Sequence, residues 1–137
     1  MSALQDAQAG DVLPELTAPA VSRSTLALYA GASGDHNPLH IDIDYARAQG
    51  LEDVIAHGML AMAYMGRAVT ALVPQQAIRS FSARFVGTIC VHEQLRVTPV
   101  VADRHTEGGE QRLRLTLTAR GTDGAPKVTG EAVVAIG

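Results

Sequence analysis

The densest cluster of polar side chains that could do chemistry lies at residues 33–40, which read Ser-Gly-Asp-His-Asn-Pro-Leu-His. Asp35 and His40 are five residues apart, and Pro38 between them favours a bent loop over a helix. In such a loop a carboxylate and an imidazole can converge on one water molecule, one accepting a proton while the other donates. Because imidazole titrates near neutrality in any case, this pair could activate water.

Two other interpretations of this cluster stay open. Asp35 could cap a turn while His40 lies in solvent, because turns favour Asp for backbone reasons alone. A metal site would use four ligating side chains of this stretch, namely Asp35, His36, His40 and Asp42. The two histidines are four residues apart and would share a face only on a helix, which Pro38 disfavours. We therefore expect no metal.

The second candidate feature is His57-Gly58, at the start of the longest predicted helix. The first turn of a helix offers unpaired N–H groups and the positive end of the helix dipole. Gly58 would let a ligand carbonyl approach these groups, and a polarised thioester carbonyl needs such a donor. Alternatively, Gly58 only eases the packing of a buried helix. We expect His57 to be a structural N-terminal residue and not a catalyst.

The elements that must position these residues are predicted from apolar spacing and capping residues. In chain order they are an extended arm or short strand over 16–21, a helix over 23–32, a loop over 35–41 and a helix over 43–49. Ser22 and Asp42 have side chains that cap helix starts. Gly34 suits the end of the first helix. The polar cluster is therefore expected between two capped helices.

The remaining chain predicts one buried helix and several strands. Residues 57–73 are apolar nearly all round, which is typical of a buried helix, and Pro74 ends it. Strand-like alternation follows over 78–86, 94–101, 113–120 and 128–136. Asp123-Gly124 is a strong hairpin signal between the last two strands. A buried helix followed by a four-strand meander predicts the α+β class, with an antiparallel sheet curling round a central helix.

The composition is that of an ordinary globular chain. Its 137 residues are 47% hydrophobic and 18% charged, so we expect one domain over residues 1–137. A single cysteine, Cys90, allows no intrachain disulfide. The N-terminus lacks the basic start and apolar core of a signal peptide, and no apolar run is long enough to cross a bilayer. We therefore expect a cytoplasmic protein with no membrane partner.

The charge argues against nucleic acid as a partner. Eleven basic against fourteen acidic residues give a net charge of −3, and the chain has no Trp. Lys127 is its only lysine. Proteins that bind nucleic acid usually show a basic excess and aromatic stacking platforms, and this chain has neither.

Together, the polar cluster and the His-Gly pair resemble the MaoC-like (R)-specific enoyl-CoA hydratases, a family that includes the hydratase-2 group and the mycobacterial β-hydroxyacyl-ACP dehydratases. The family motif is matched by Ser33, Gly34, Asp35, Asn37, Pro38, Leu39, His40 and Ala46. Stretches 55–60 and 128–134 are also similar, so the resemblance covers about residues 25–136. Departures from the family pattern, which leave the acyl chain open, occur at Ala32, His36, Gly66 and residues 91–93.

The resemblance implies a hot-dog fold, in which a curved antiparallel sheet wraps a long central helix and two chains usually pair. It implies that Asp35 and His40 hold the catalytic water. It also implies substrate-site roles for Gly58, whose N–H would bind the thioester carbonyl, and for Asn37, which would support the loop. The implied activity is a hydro-lyase reaction that interconverts (2E)-enoyl-CoA and (R)-3-hydroxyacyl-CoA, with no metal or redox cofactor.

Other functions on the same fold stay open. They are a (3R)-hydroxyacyl-ACP dehydratase of fatty-acid synthesis, an acyl-CoA thioesterase and a non-catalytic acyl-binding subunit. We favour CoA as the carrier because the chain is itself acidic, as carrier proteins are, whereas a few arginines suffice for the phosphates of CoA. The arginines in question are Arg79, Arg84, Arg112 and Arg114. We expect a homodimer, with a heterodimer of two hot-dog chains as the alternative.

Overall fold

One antiparallel sheet wraps a central helix in the computed structural model, which describes residues 2–137. The strands are β1 (Leu16–Thr17), β2 (Ile78–Phe85), β3 (Arg96–Glu107), β4 (Glu110–Arg120) and β5 (Pro126–Ala135). The helices are α1 (Ser2–Gln5), α2 (Arg23–Ser33), α3 (Ile43–Ala48) and α4 (Gly58–Thr70), with 3₁₀ turns at Pro38–His40 and Gln75–Ala77. The strands hydrogen-bond in the order β1-β3-β4-β5-β2. This is the α+β architecture that the sequence predicts, in the hot-dog arrangement that the family resemblance implies.

The concave face of the sheet is apolar because apolar and polar residues alternate along its strands. On β4, Leu113, Leu115 and Leu117 are fully buried, whereas the polar residues between them face outward. Leu115 pairs with Val101 on β3 and with Ala132 on β5, both of them buried. Side chains of the same face thus meet across three strands and form the floor of the core.

The predicted four-strand meander is wrong in the pairing of its first strand, β2. Strands β3, β4 and β5 follow one another as neighbours, but β2 pairs with β5 at the far edge of the sheet. The chain does not turn back after β2 because the next segment has other hydrogen-bonding partners. Ala56 N–H donates to Ile89 O at 2.8 Å, and Val21 N–H donates to Glu93 O at 2.8 Å. These bonds hold the segment between β2 and β3 against residues 21 and 56, so that β3 begins away from β2.

Helix α4 is the central helix, and it packs against all five strands. Its inner side is buried through Leu60, Ala61, Met65, Ala68 and Val69. Its opposite side is exposed in the single chain and carries Met59, Ala63, Arg67 and Thr70. The prediction of a helix buried on all sides is therefore wrong for one chain. The helix also ends three residues earlier than predicted, at Thr70.

The segments beside the polar cluster are held by local caps. Ser22 Oγ accepts the Thr25 N–H at 3.0 Å and begins α2, as predicted. Gly34 ends α2 in the left-handed conformation, with φ of 77°. Asp42 caps α3 by accepting the N–H groups of Asp44 and Tyr45. The predicted loop over 35–41 contains the short 3₁₀ turn at Pro38–His40, since proline fits the first turn of a helix.

Within residues 2–137, no helix combines the length and the apolar character that crossing a bilayer requires. The cytoplasmic location stays a prediction.

A methyl group at Gly130 should destabilise the sheet. Its Cβ would lie 2.5 Å from the Ser82 carbonyl oxygen and 2.9 Å from Met65 Cε, and the backbone of β2 cannot retreat without losing its pairing with β5. We expect Gly130→Ala to lower the unfolding free energy by about 1–3 kcal/mol, as overpacking typically does. The measurement is urea denaturation.

The matched control is Gly31→Ala. Gly31 lies within α2, and a Cβ there meets no atom within 4 Å. Helix propensity predicts a gain of about 0.5–1 kcal/mol for this change. A Gly130→Ala variant as stable as the wild type would contradict the packing described for this position.

Candidate active site

The structure brings Asp35 and His40 together. Asp35 Oδ2 lies 3.8 Å from His40 Nε2 across the bent loop. The Asp35 side chain is 53% exposed and the His40 side chain only 12%, so the carboxylate faces solvent and the imidazole is shielded from it. A gap of this size is too long for a direct hydrogen bond, and both groups remain free to bond to one water molecule.

The backbone fixes which nitrogen of His40 carries the proton. His40 Nδ1 lies 2.7 Å from the Ile55 carbonyl oxygen. Because a carbonyl oxygen can only accept, Nδ1 must be the donor in this bond. In the neutral ring, Nε2 then carries the lone pair, and it is this atom that faces Asp35. His40 can therefore accept a proton at Nε2.

Asn37 builds the loop that holds this pair. Its Oδ1 accepts the Leu39 N–H at 3.0 Å and so caps the 3₁₀ turn. Its own N–H donates to Asp35 Oδ1 at 3.3 Å, which holds the Asp35 side chain over the turn. Asp35 therefore does cap a turn, but His40 does not lie free in solvent. The contacts of Asn37 place it in support of the loop.

His57 is far more involved than the sequence suggested. It is the one buried polar residue among the side chains that the structure describes, 1% exposed. Its Nε2 lies 3.2 Å from the Asp35 carbonyl oxygen, and its ring stacks on His40 with centroids 3.8 Å apart. The Tyr29 ring meets it edge-on at 4.8 Å. Its position just before a buried helix was the one sequence signal that His57 lies near the site. Its stacking on His40 could not be predicted from the spacing of the two residues.

Burial lowers the pKa of the His57 imidazole, and the nearby His40 ring acts in the same direction. The hydrogen bond to the Asp35 carbonyl oxygen and the charge of the nearby Asp35 carboxylate oppose this shift only in part. The balance favours a neutral ring, because an imidazolium here would be a buried charge with no carboxylate in contact.

Gly58 is the first residue of α4 and borders the same pocket as His40. As the first helical residue, its N–H has no carbonyl one turn earlier to donate to. A Cβ at this position would lie 3.2 Å from the Phe85 ring, so glycine keeps this corner open. The pocket has a volume of about 270 Å³, and its apolar lining includes Phe85, Ile89 and Val128. A larger cavity of about 840 Å³ lies beyond Ile55 and borders neither Asp35 nor His40.

Three side chains at this site bring metal-ligating atoms within 4.8 Å of one another, namely Asp35, His40 and His57. His36 and Asp42, which the sequence offered as ligands, are not in this group, and Asp42 caps α3. The two rings lie 3.8 Å apart at an angle of only 25°. The planes of two rings this close to parallel intersect much farther from the ring nitrogens than the ~2.1 Å length of a metal–nitrogen bond. The lone pairs of the two rings therefore cannot both point at one ion. The donor geometry does not suit a metal.

Three of the four arginines considered for phosphate binding are already paired with carboxylates. Arg79 donates to both carboxylate oxygens of Glu110 at 2.9 Å, and Arg112 donates to Glu110 at 2.8 Å. These two arginines hold the pKa of Glu110 at about 2. Arg114 bonds to Asp103 and Glu131. The expectation that these arginines bind the phosphates of CoA is therefore not supported for Arg79, Arg112 and Arg114.

Comparison with known proteins identifies the family. The model of the MaoC-like domain matches residues 7–121, and the chain belongs to this family. It is 28% identical over 121 residues to the (R)-specific enoyl-CoA hydratase of Rhodospirillum rubrum, covering 87% of this chain and 82% of that protein. It is 33% identical over 99 residues to the mitochondrial 3-hydroxyacyl-[acyl-carrier-protein] dehydratase of Arabidopsis thaliana, covering 72% of this chain and 58% of that protein.

The fold matches solved structures of the same kind. The R-hydratase PhaJ1 from Pseudomonas aeruginosa superposes with a TM-score of 0.83 at 28% identity, covering 96% of this chain and 83% of that one. The chain also matches the beta subunit of the Aspergillus oryzae fatty acid synthase, but it spans only 5% of that protein. The family resemblance and the hot-dog fold expected from the sequence are confirmed.

The neutral His57 should leave a signature in the stability at mildly acidic pH. The unfolded chain takes up a proton on His57 near its ordinary pKa of about 6.5, whereas the folded chain resists protonation. The unfolding free energy should therefore fall as the pH drops from about 7 to 5, and this contribution should vanish above pH ~7. His57→Phe keeps a flat ring without a titrating group, so its stability should fall less over this range.

The measurement is urea denaturation of both proteins at several pH values. Glu110 does not interfere, because its pKa of about 2 places its contribution below pH 4.5. Parallel pH profiles for the two proteins would contradict a neutral His57.

Proposed function

We propose that this chain is a hydro-lyase that interconverts (2E)-enoyl-CoA and (R)-3-hydroxyacyl-CoA by adding and removing water. One observation carries the proposal: the free Nε2 of His40 and the Asp35 carboxylate face each other across 3.8 Å, beside the open N-terminus of α4. Family membership and similarity to proteins named as (R)-specific hydratases support it.

In the proposed hydration, Asp35 and His40 hold one water molecule between them. The water oxygen bonds to C3 of the enoyl group and gives up one proton to the pair. A proton from the pair is delivered to C2, so the net change is the addition of one water across the double bond. Charge builds on the thioester oxygen during this step, and the Gly58 N–H would stabilise it.

The shape of the pocket supports this arrangement. Its lining contains His40 and the first turn of α4, and most of its other residues are apolar. An acyl thioester has the matching distribution, with a polar carbonyl beside an apolar chain. Gly58 leaves room for the carbonyl, because a side chain at this position would fill the space in front of the Phe85 ring.

We propose one hot-dog domain over residues 1–137. The family match begins at residue 7, and the last strand of the sheet, which ends at Ala135, completes the pairing of both β4 and β2. The central helix contacts every strand, so the described elements share one core.

We propose that the chain works as a homodimer. Met59 on α4 is 55% exposed, and Phe85 and Val86 at the end of β2 are each 50% exposed. These large apolar side chains lie beside the pocket, on the side where β2 leaves one edge of the sheet without a partner strand. A second copy pairing along this edge would cover them, as the hot-dog resemblance implies.

The function is tested with purified protein and two enoyl-CoA substrates of different length, by following the loss of enoyl absorbance. Asp35→Asn and His40→Ala should each lower the hydration rate by at least ~100-fold, the usual scale for losing general acid–base help. Leu28→Ala is the matched control, since Leu28 is an exposed residue of α2. Near-normal kcat in either variant would remove that residue from the proposed chemistry.

Two further readings of the same assay separate the alternatives. Release of free CoA thiol in place of hydration would indicate a thioesterase. The same enoyl group is also presented on an acyl-carrier protein, and a preference for that carrier of tenfold or more, about 1.4 kcal/mol, would overturn the choice of CoA.

The dimer is tested by light scattering at micromolar concentration. The wild type should have twice the 14.4 kDa mass of one chain. Met59→Glu places a charge in the proposed interface and should shift the protein toward the monomer. Val12→Glu is the control, because Val12 is 68% exposed and lies on the opposite side of the sheet, next to β3. A fully active wild-type monomer would contradict the proposal.

A further inference from the structure

His57 connects three separate parts of the candidate site. It caps α4 by position, but its side chain makes no cap hydrogen bond to the helix. The ring turns instead toward the loop, where Nε2 meets the Asp35 carbonyl oxygen at 3.2 Å. One face of the ring lies on His40. A single buried side chain thus contacts both members of the Asp35–His40 pair and directly precedes Gly58.

The contacts of His57 fix its tautomer. The Asp35 carbonyl oxygen can only accept, so Nε2 must carry the proton. Nδ1 is buried and has no hydrogen-bond partner. A proton on Nδ1 would place an unpaired donor and a positive charge in the interior, which is costly. The ring is therefore held as the neutral Nε2–H form.

The groups that face His57 explain why neutrality matters. They are the His40 ring, the Tyr29 ring from α2 and the Asp35 backbone, with the Asp35 carboxylate further out on the solvent side. A charged His57 would repel the charge that His40 acquires when it takes a proton. A neutral stacked ring holds His40 in place and leaves it free to become charged.

We infer that His57 is a positioning residue, whose neutral ring holds the Asp35 backbone by its N–H and the His40 ring by stacking. The inference rests on the proposed function, since the pair that it positions is the pair proposed to activate water. His57 itself does not touch the reacting atoms.

The two contacts can be removed one at a time. His57→Gln can place an amide N–H near the position of Nε2 but loses the flat ring, and His57→Phe keeps the flat ring but loses the donor. We expect kcat to fall by ~10- to 100-fold in each variant, because small misplacements of catalytic groups cost this much, while KM changes less than ~3-fold. The doubly deficient His57→Ala should be worse than either.

A matched control separates positioning from general damage. His105→Gln changes a histidine of β3 that bonds to Asp103 at 3.1 Å, and it should retain wild-type kcat and KM. The active fraction of each variant is corrected by its urea unfolding curve. If His57→Gln and His57→Phe keep wild-type kcat after this correction, or if KM rises while kcat is unchanged, the inference is wrong.

Nitrogen NMR of the histidine side chains gives a readout that needs no activity. At pH 6.5, where a free imidazole is about half protonated, we expect His57 to be mostly neutral, with its proton on Nε2. At pH 8 we also expect His40 to show the Nδ1–H form that its bond to the Ile55 carbonyl requires, and a mixture of tautomers in His57→Gln, where stacking no longer holds the ring at that bond. A protonated His57, or an unchanged His40 in His57→Gln, would overturn the inference.

The two proposals fail in distinguishable ways. A wild type that hydrates no enoyl thioester, but shows both NMR signatures, would refute the proposed function and support the holding role of His57. An active wild type whose His57 variants match it in kcat would refute the role of His57 alone.

Discussion

The hydrogen bond from His40 Nδ1 to the Ile55 carbonyl is the interaction on which the candidate site depends. Ile55 is held in turn, because its N–H donates to Leu39 O at 3.1 Å. The next residue, Ala56, donates to Ile89 O at 2.8 Å, so the segment before α4 is fastened on both sides. The distance between His40 and the first turn of α4 is therefore set by one side-chain bond to a backbone segment that is itself held by backbone hydrogen bonds.

Local sequence signals predicted the parts of this arrangement that depend on near neighbours. The caps at Ser22 and Asp42 and the alternation along β4 need only a few adjacent residues, and the structure has them. The approach of Asp35 to His40 also arises within one short loop. Spacing alone could not reveal the pairing of β2 with β5, whose partners are 43 to 56 residues apart, or the stacking of His57 on His40, which are 17 residues apart. The solvent-exposed side of α4 was missed because two of its residues, Met59 and Ala63, are themselves apolar.

Several charged residues on β2, β3, β4 and β5 pair with one another across the sheet. Arg114 lies between Asp103 and Glu131, and Glu110 lies between Arg79 and Arg112. Each pair at such an exposed position contributes little to stability, because solvent and salt screen its charges. Their main effect is to satisfy the arginines on the outer face, away from the pocket. A sequence shows the charges but not these pairings, which made the arginines look available.

The pairing of β2 with β5 also has a consequence for the order of events during synthesis. Strand β2 hydrogen-bonds only to the last strand, although it leaves the ribosome some 40 residues earlier. Until β5 has emerged, both edges of β2 are unpaired, and such edges invite association with other chains. The turn at Pro38–His40 and the cap at Asp42 need only neighbouring residues, so they do not have to wait for β5. The nascent chain can therefore form the local turn between Asp35 and His40 while its sheet is still open along β2.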